Sequence, residues 1–241
     1  FARERPPGGA KLRVLPPAGP GRGPHAVAEI VTDDMPFLVD SALAALARQG
    51  RVVRQLLHPV LAVRRDGTGR LLALGDGPGR ESMMRITVGA AQTAMLPGQG
   101  AGGWPDLERL LARAMADVRL AVADFPAMSR LMRGAEAEVA AAPDRGGSAA
   151  AFLRWLADEN YVLLGHRRLE AGADGSLAVA AEENLGLLRD PALPYEVSPL
   201  GYGPEPRKVL DTSVLQIVKG SEVAPAGERM REICLGFAQA Q

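Results

Sequence analysis

The sequence predicts an α+β fold, with helices on one face of a largely antiparallel sheet, followed by a second, smaller α+β unit. Three observations predict it. Short runs rich in β-branched residues recur along the chain. Two long runs carry apolar residues at three- and four-residue spacing. The order over residues 25–123 is β-α-β-β, a hairpin, then β-α, which is the ferredoxin-like βαββαβ pattern with extra material.

The elements follow in order. Residues 1–24 are rich in Pro and Gly and read as a loose arm, with one short strand at Lys11–Leu15. HAVAEIVT, from His25, is the first strand of the sheet. Asp33-Asp34-Met35-Pro36 then gives a helix start, an acidic cap followed by Pro in the first turn. The helix runs over about 36–49, with Met35, Leu38, Val39, Ala42, Leu43 and Leu46 on one face, and Gly50 ends it. RVVRQLLH and PVLAVRRD are either two strands or one strand kinked at Pro59. Asp66–Gly69 is a turn from which LLALG pairs back. ESMMRITVG alternates Met83, Arg85 and Thr87 against Met84, Ile86 and Val88, so one of its faces is dry.

Residues 95–105 read as a loop. PDLERLLARAMADVRLAVADFP is an amphipathic helix that Pro126 should break, and MSRLMRGAEAEVAAA a second helix up to Pro143. The domains are thus expected at 25–142 and 148–241, with a linker at 143–147. The second unit opens with the short helix AAAFLRWLADEN. YVLLGHRRLE and SLAVAAEE pair across the turn GADGS, and residues 184–189 continue the sheet or turn away. Residues 190–206 hold five prolines and read as irregular. VLQIVKG is a last strand, and GERMREICLGFAQAQ starts a helix at whose end the sequence stops, so the chain reads as a piece of a longer protein.

Composition narrows the function. The formal net charge is zero, with 28 basic and 28 acidic residues, so no nucleic-acid footprint is expected. Cys234 is the one cysteine and there are three histidines, which removes a disulfide framework, argues against a metal centre and suits a reducing cytoplasm. No run approaches the ~20 apolar residues of a membrane helix. Gly98–Gly103 is glycine-rich but lacks the strand-to-helix setting of a nucleotide loop. The carboxylate pairs Glu182-Glu183 and Asp158-Glu159 are sequence neighbours, a spacing at which side chains do not face each other. No catalytic residue is therefore expected in this chain.

Several motifs carry a resemblance. AEIVTDDMPFLVDSALAALARQG, then LHPVLAVRRDGTGRL, then ESMMRITV resemble the N-terminal ACT-like domain of the large bacterial NAD-specific glutamate dehydrogenases. FLRWLADENYVLLGHRRLE and ENLGLLRD resemble later segments of that family, with His166 in place of a Tyr and Asn184 in place of a Gly. The resemblance covers roughly residues 25–220. It implies that the parent enzyme converts L-glutamate, NAD and water to 2-oxoglutarate, ammonium and NADH. It also implies that the catalytic domain lies downstream in the same chain, that NAD belongs to the parent and not to this region, and that this region regulates or assembles a homo-oligomer. The second unit is then ACT- or PAS-like.

Within that frame the candidate effector site is Asp33, Asp34, Met35, Pro36 and Phe37. In ACT domains the loop between first strand and first helix helps to bind an amino acid. Helix N–H groups attract its carboxylate, and an acidic residue meets its ammonium. The alternative is capping by Asp33 or Asp34 with packing by Phe37, which stands where such loops place Gly. His58 beside Pro59 reads as structural, or as a partner for Asp34. His166-Arg167-Arg168 reads as a solvated strand end, or as an anion site. Cys234 reads as a packed helical residue.

Overall fold

The computed structural model describes residues 1–17, 25–91, 104–141, 146–171, 177–179, 184–189, 215–218 and 233–239. The chain divides into two compact units, one chiefly Phe1–Arg119 and the other running on from Leu120. The expected linker at 143–147 is not where this division falls, and Gly146 already opens a helix.

The first unit holds the strands β1 (Lys11–Leu15), β2 (Ala26–Asp33), β3 (Arg51–Leu57), β4 (Val60–Arg65), β5 (Leu71–Leu74) and β6 (Gly79–Ala91), with helix α1 (Leu38–Arg48) between β2 and β3. Its sheet runs β1-β2-β6-β4-β5, with β3 also on β6. Every pairing is antiparallel. β2 and β3 therefore run parallel on either side of β6, a βαβ crossover with a third strand inserted between its two strands. The edge beyond β2 is taken by β1, from before β2 in sequence. The strand that follows the next helix lies in a different sheet.

Alternation fixes the buried face. Ala26, Ala28, Ile30 and Thr32 of β2 and Ser82, Met84, Ile86 and Val88 of β6 are all at most 2% exposed. This is the dry face read in the sequence. The matching helical stripes are Leu38, Ala42, Ala45 and Leu46 of α1 and Leu107, Leu111, Ala114, Met115 and Val118 of the next helix, also buried. Truncating any large member of this core, such as Ile30 or Leu46, removes about 2–5 kcal/mol.

β3 and β4 settle the question at Pro59. They are two strands, and both pair along the same side of the thirteen-residue β6. Pro59 has no N–H to give a ladder, but its carbonyl accepts from the Met83 N–H at 3.0 Å.

The loose arm expected over residues 1–24 is corrected in its described part. Residues 18–24 lie outside the described residues. β1 is the short strand foreseen at Lys11–Leu15, and residues before it are ordered as well. The Leu71 N–H donates to the Arg3 carbonyl at 2.7 Å, and the Arg5 N–H donates to Gly69 at 3.1 Å. One stretch of chain thus touches β5 with residues 3–5 and β2 with residues 11–15, so it straps the sheet from one edge to the other. A Cβ on Gly69 would stand 1.9 Å from the Arg5 carbonyl oxygen, so this contact requires glycine there.

Helix α2 (Trp104–Ala141) corrects a second expectation, since it runs unbroken through Pro126. Proline removes one helical N–H and costs roughly 3 kcal/mol in an isolated helix. Burial of Met128, Met132 and Ala135 beyond it and of Ala121 before it holds both flanking turns helical.

The second unit continues with α3 (Gly146–Trp155), a π-helical turn at Leu156–Asn160, and the strands β7 (Leu163–Ala171), β8 (Leu177–Val179), β9 (Leu185–Gly186), β10 (Leu215–Val218) and β11 (Ile233–Gln239). One core cluster joins Met128, Met132, Ala135, Leu153, Leu156, Ala157 and Leu163. The helix expected near the end is instead β11, which pairs parallel with β7 and antiparallel with β10. Cys234 therefore lies on a strand and not on a helix. ICLGF carries the branched and aromatic residues that suit a ladder, and the ladder's hydrogen bonds prevail over a helical reading of so short a run. Of the loop expected at 95–105, residues 104 and 105 instead open α2, and the rest lies outside the described residues, as does the irregular stretch expected at 190–206.

Candidate functional site

β2 ends at Thr32 and Asp33, and the chain turns through Asp34, Met35, Pro36 and Phe37 into α1. The turn is strained. Phe37 stands at the helix cap with φ 69° and ψ 2°, the only left-handed residue other than glycine among those described. A bulky side chain rarely accepts this conformation, which costs of order 1–3 kcal/mol. Phe37 thus holds the backbone shape that a glycine would take freely at this place. No side chain caps the helix. Its first internal bond is from the Ser41 N–H to the Phe37 carbonyl at 3.0 Å, which leaves the N–H groups of Leu38, Val39 and Asp40 without helical acceptors. Ser41 is buried, and its Oγ has no hydrogen-bond partner among the described residues.

The acidic residues before the turn do not serve as caps. The Asp33 carboxylate accepts from Arg5 on one oxygen and from Arg119 at 2.8 Å on the other. Arg119 also donates to the Thr32 hydroxyl at 2.8 Å. Asp34 lies 3.5 Å from Arg80. Opposite Asp33 in the ladder stands Glu81, 1% exposed. It accepts from Arg65 at 2.6 and 2.8 Å and from Arg5 at 3.1 Å. Arg5 further donates to the Gly9 carbonyl at 2.5 Å.

Three guanidiniums thus meet two carboxylates, and one positive charge is left over. Burial alone pushes the Asp33 and Glu81 carboxyls up. The arginine hydrogen bonds and charges outweigh it and hold both below their ordinary values.

The arrangement alters the chemistry read from the sequence. Asp33 is already paired twice, so it presents no bare carboxylate to an ammonium. Helix N–H groups that lack helical acceptors, beside surplus positive charge, suit a carboxylate instead.

The other sequence candidates are separate. His58 does not meet Asp34. Its Nε2 lies 2.6 Å from the Ser82 Oγ, which shares the dry face of β6. His166 is buried on β7 rather than solvated. Glu182 and Glu183 lie outside the described residues. Among the described residues no three His, Cys, Asp or Glu side chains are grouped to hold a metal. Sequence reasoning missed Arg5 and Arg119. Nothing in a Pro- and Gly-rich arm marks one arginine for burial. The only sign was Glu81 itself, an acidic residue inside a strand.

The second unit builds a contrasting turn. Asp124 of α2 accepts from the Gly186 N–H at 2.6 Å and from the Arg189 guanidinium, at 3.2 Å for Nε. Gly186 has φ 59°, and a Cβ there would stand 2.2 Å from the Leu164 carbonyl oxygen. Burial pushes Asp124 up, and the bonds from Arg189 and Gly186 bring it below its ordinary value. Beside this turn Asn184 is buried, with neither amide atom partnered among the described residues.

A βαβ crossover enclosing a third antiparallel strand, with a turn leading into its helix, is consistent with a domain of ACT type. Residues 1–95 match the glutamate dehydrogenase ACT1 domain model. Three relatives, each named as an NAD-specific glutamate dehydrogenase, extend the match. That of Halomonas elongata is 33% identical over 72% of this chain, and that of Pseudomonas aeruginosa 29% over 78%. That of Mycobacterium tuberculosis is 30% identical over 75%. The chain belongs to the NAD-specific glutamate dehydrogenase family, as a piece of its N-terminal region. It spans only 11–12% of the length of these relatives.

Proposed function

We propose that this chain is a non-catalytic regulatory and assembly region of a large NAD-dependent glutamate dehydrogenase. In this reading the downstream part of the longer chain carries the NAD site and the oxidation of glutamate. The ferredoxin-like first unit and the smaller second unit contribute contacts within a cytoplasmic homo-oligomer. The observation that carries the reading is the ACT1 match over residues 1–95, which includes the strained turn and its arginine-bound acids. Purified alone, the chain is expected to reduce no NAD in the presence of glutamate. Glutamate-dependent formation of NADH by the chain would overturn the reading.

A second reading, an amino-acid-sensing module, is favoured by one feature: helix N–H groups that lack helical acceptors, beside surplus positive charge, at Asp33–Phe37. An effector would place its carboxylate at the start of α1. Titration calorimetry against the common amino acids tests it. Heat from one of them that is lost in Arg119→Ala supports sensing, and no heat from any of them leaves assembly as the function.

A further inference from the structure

The strap over the sheet is held chiefly by one side chain. Arg5 is 6% exposed, while Arg3, Glu4, Pro6, Pro7 and Gly8 around it are exposed. All three of its guanidinium nitrogens are used, on acceptors from three separate segments: Glu81 of β6, Asp33 of β2 and the Gly9 carbonyl. Apart from this, residues 3–5 contribute two backbone bonds, with Gly69 and Leu71, and one bridge to Arg70, and the Ala2 and Arg3 carbonyls accept from Arg65. Phe1 lies under the Lys11 and Arg13 cations at 5.5 and 4.4 Å, near the surface.

We propose that Asp33 and Glu81 form a guanidinium-binding site that the chain fills with its own Arg5, and that residues 1–9 are a releasable latch over it. A free guanidinium compound binds there in exchange for the strap. The planar fork of Arg5 matches acceptors that a point-charge ammonium serves less well. The site outlasts the departure of Arg5, because Arg65 stays on Glu81 and Arg119 stays on Asp33. The cluster is then neutral, two charges of each sign, and an incoming guanidinium restores its present balance. The oxygen of Asp33 that Arg5 leaves, next to the turn that leads into α1, is one of the acceptors the incoming guanidinium takes. The site stands on this geometry alone and does not depend on the sensing role.

The test uses the 241-residue chain and ethylguanidinium as the probe, with ethylammonium and sodium chloride as ionic-strength controls. In Arg5→Ala, millimolar ethylguanidinium should raise the melting temperature saturably, and the controls should not. The rise should vanish in Arg5→Ala combined with Glu81→Gln. If Arg5→Ala does not fold, Arg5→Lys, which keeps the charge but not the fork, takes its place. In the unaltered chain the probe should accelerate hydrogen exchange of the Arg5 and Leu71 amides roughly tenfold over the salt control, while amides of β2 stay protected. The proposal is overturned if the folded variant shows no saturable response, if ethylammonium serves equally well, or if the two amides do not respond. None of these outcomes bears on whether the chain turns over glutamate, so its failure and that of the assembly reading are separable.

Discussion

Two turns of this molecule face the same problem with different residues. At Asp33–Phe37 a strand passes into a helix, and at 184–189 a two-residue strand doubles back. Each needs a left-handed residue, and each has an aspartate near it. In the second unit the left-handed residue is Gly186, and Asp124 binds both its N–H and Arg189. In the first it is Phe37, uncapped, while Asp33 is drawn away to Arg5 and Arg119. The second turn is relaxed, and the aspartate that pins it reaches it from α2, 62 and 65 residues away. The first carries strain, and its acid serves contacts to segments 28 and 86 residues away. The difference teaches where this chain can accommodate change. Strain is tolerated where the surrounding contacts over-determine the backbone, and such places are where function concentrates.

The largest effect that would sharpen the contrast is at Gly186. Gly186→Ala must find room for a Cβ 2.2 Å from a carbonyl oxygen, in a left-handed backbone. It should lose about 3 kcal/mol or more in urea unfolding. A loss below 1 kcal/mol, on the order of an ordinary surface change, would show that this turn is not pinned as described.

Next comes Asp124→Asn, which retains an acceptor for the Gly186 N–H but drops the charge facing Arg189. A loss of about 1–2 kcal/mol at neutral pH is expected. The folded carboxyl is held low, so its contribution is present above its unfolded value and fades as pH falls through the folded one. The variant and the parent should therefore begin to converge below about pH 4 and meet only once the pH has fallen below the lowered folded value. Curves that stay parallel into acid would break the assignment.

At Phe37 the informative comparison is between two variants that both lose the ring. Phe37→Gly should be more stable than Phe37→Ala by about 1 kcal/mol, because only the alanine keeps the left-handed cost. The reverse order would mean that the first turn is not strained. The smallest effect is at Asp117 of α2. Burial holds its carboxyl above the ordinary value despite Arg113 at 3.8 Å. A raised acid favours folding only while protonated, so its ionisation weakens the fold as pH rises. Asp117→Asn should gain up to ~0.5 kcal/mol at neutral pH and nothing in acid, read from chemical unfolding at both pH values.

Much of the first unit was legible in the sequence, because its information is local. The alternation of Met84, Ile86 and Val88, the spacing of Leu38, Ala42 and Leu46, and the turn at Asp66 all report short-range geometry. At residue 37 the family resemblance marked a place where such loops carry Gly, but the left-handed backbone there was not foreseen. Three further features were not legible. Pro126 speaks locally for a break, and only burial on both sides of it keeps α2 whole. β11 reads as a helix until β7 and β10 supply its ladder. The partners of Glu81 lie 76 and 16 residues away, a distance over which no periodicity carries information.

That same span governs how the protein is made. Arg5 is synthesised well before the glutamate that buries it. At the usual 5–20 residues per second, roughly 4–15 s separate the two. Throughout that interval the segment around Arg5 has no Glu81 to dock on, and β2 has no β6 to lie against. The strap is thus among the last pieces of the first unit to settle during translation. Its docking reports that the sheet beneath it is complete.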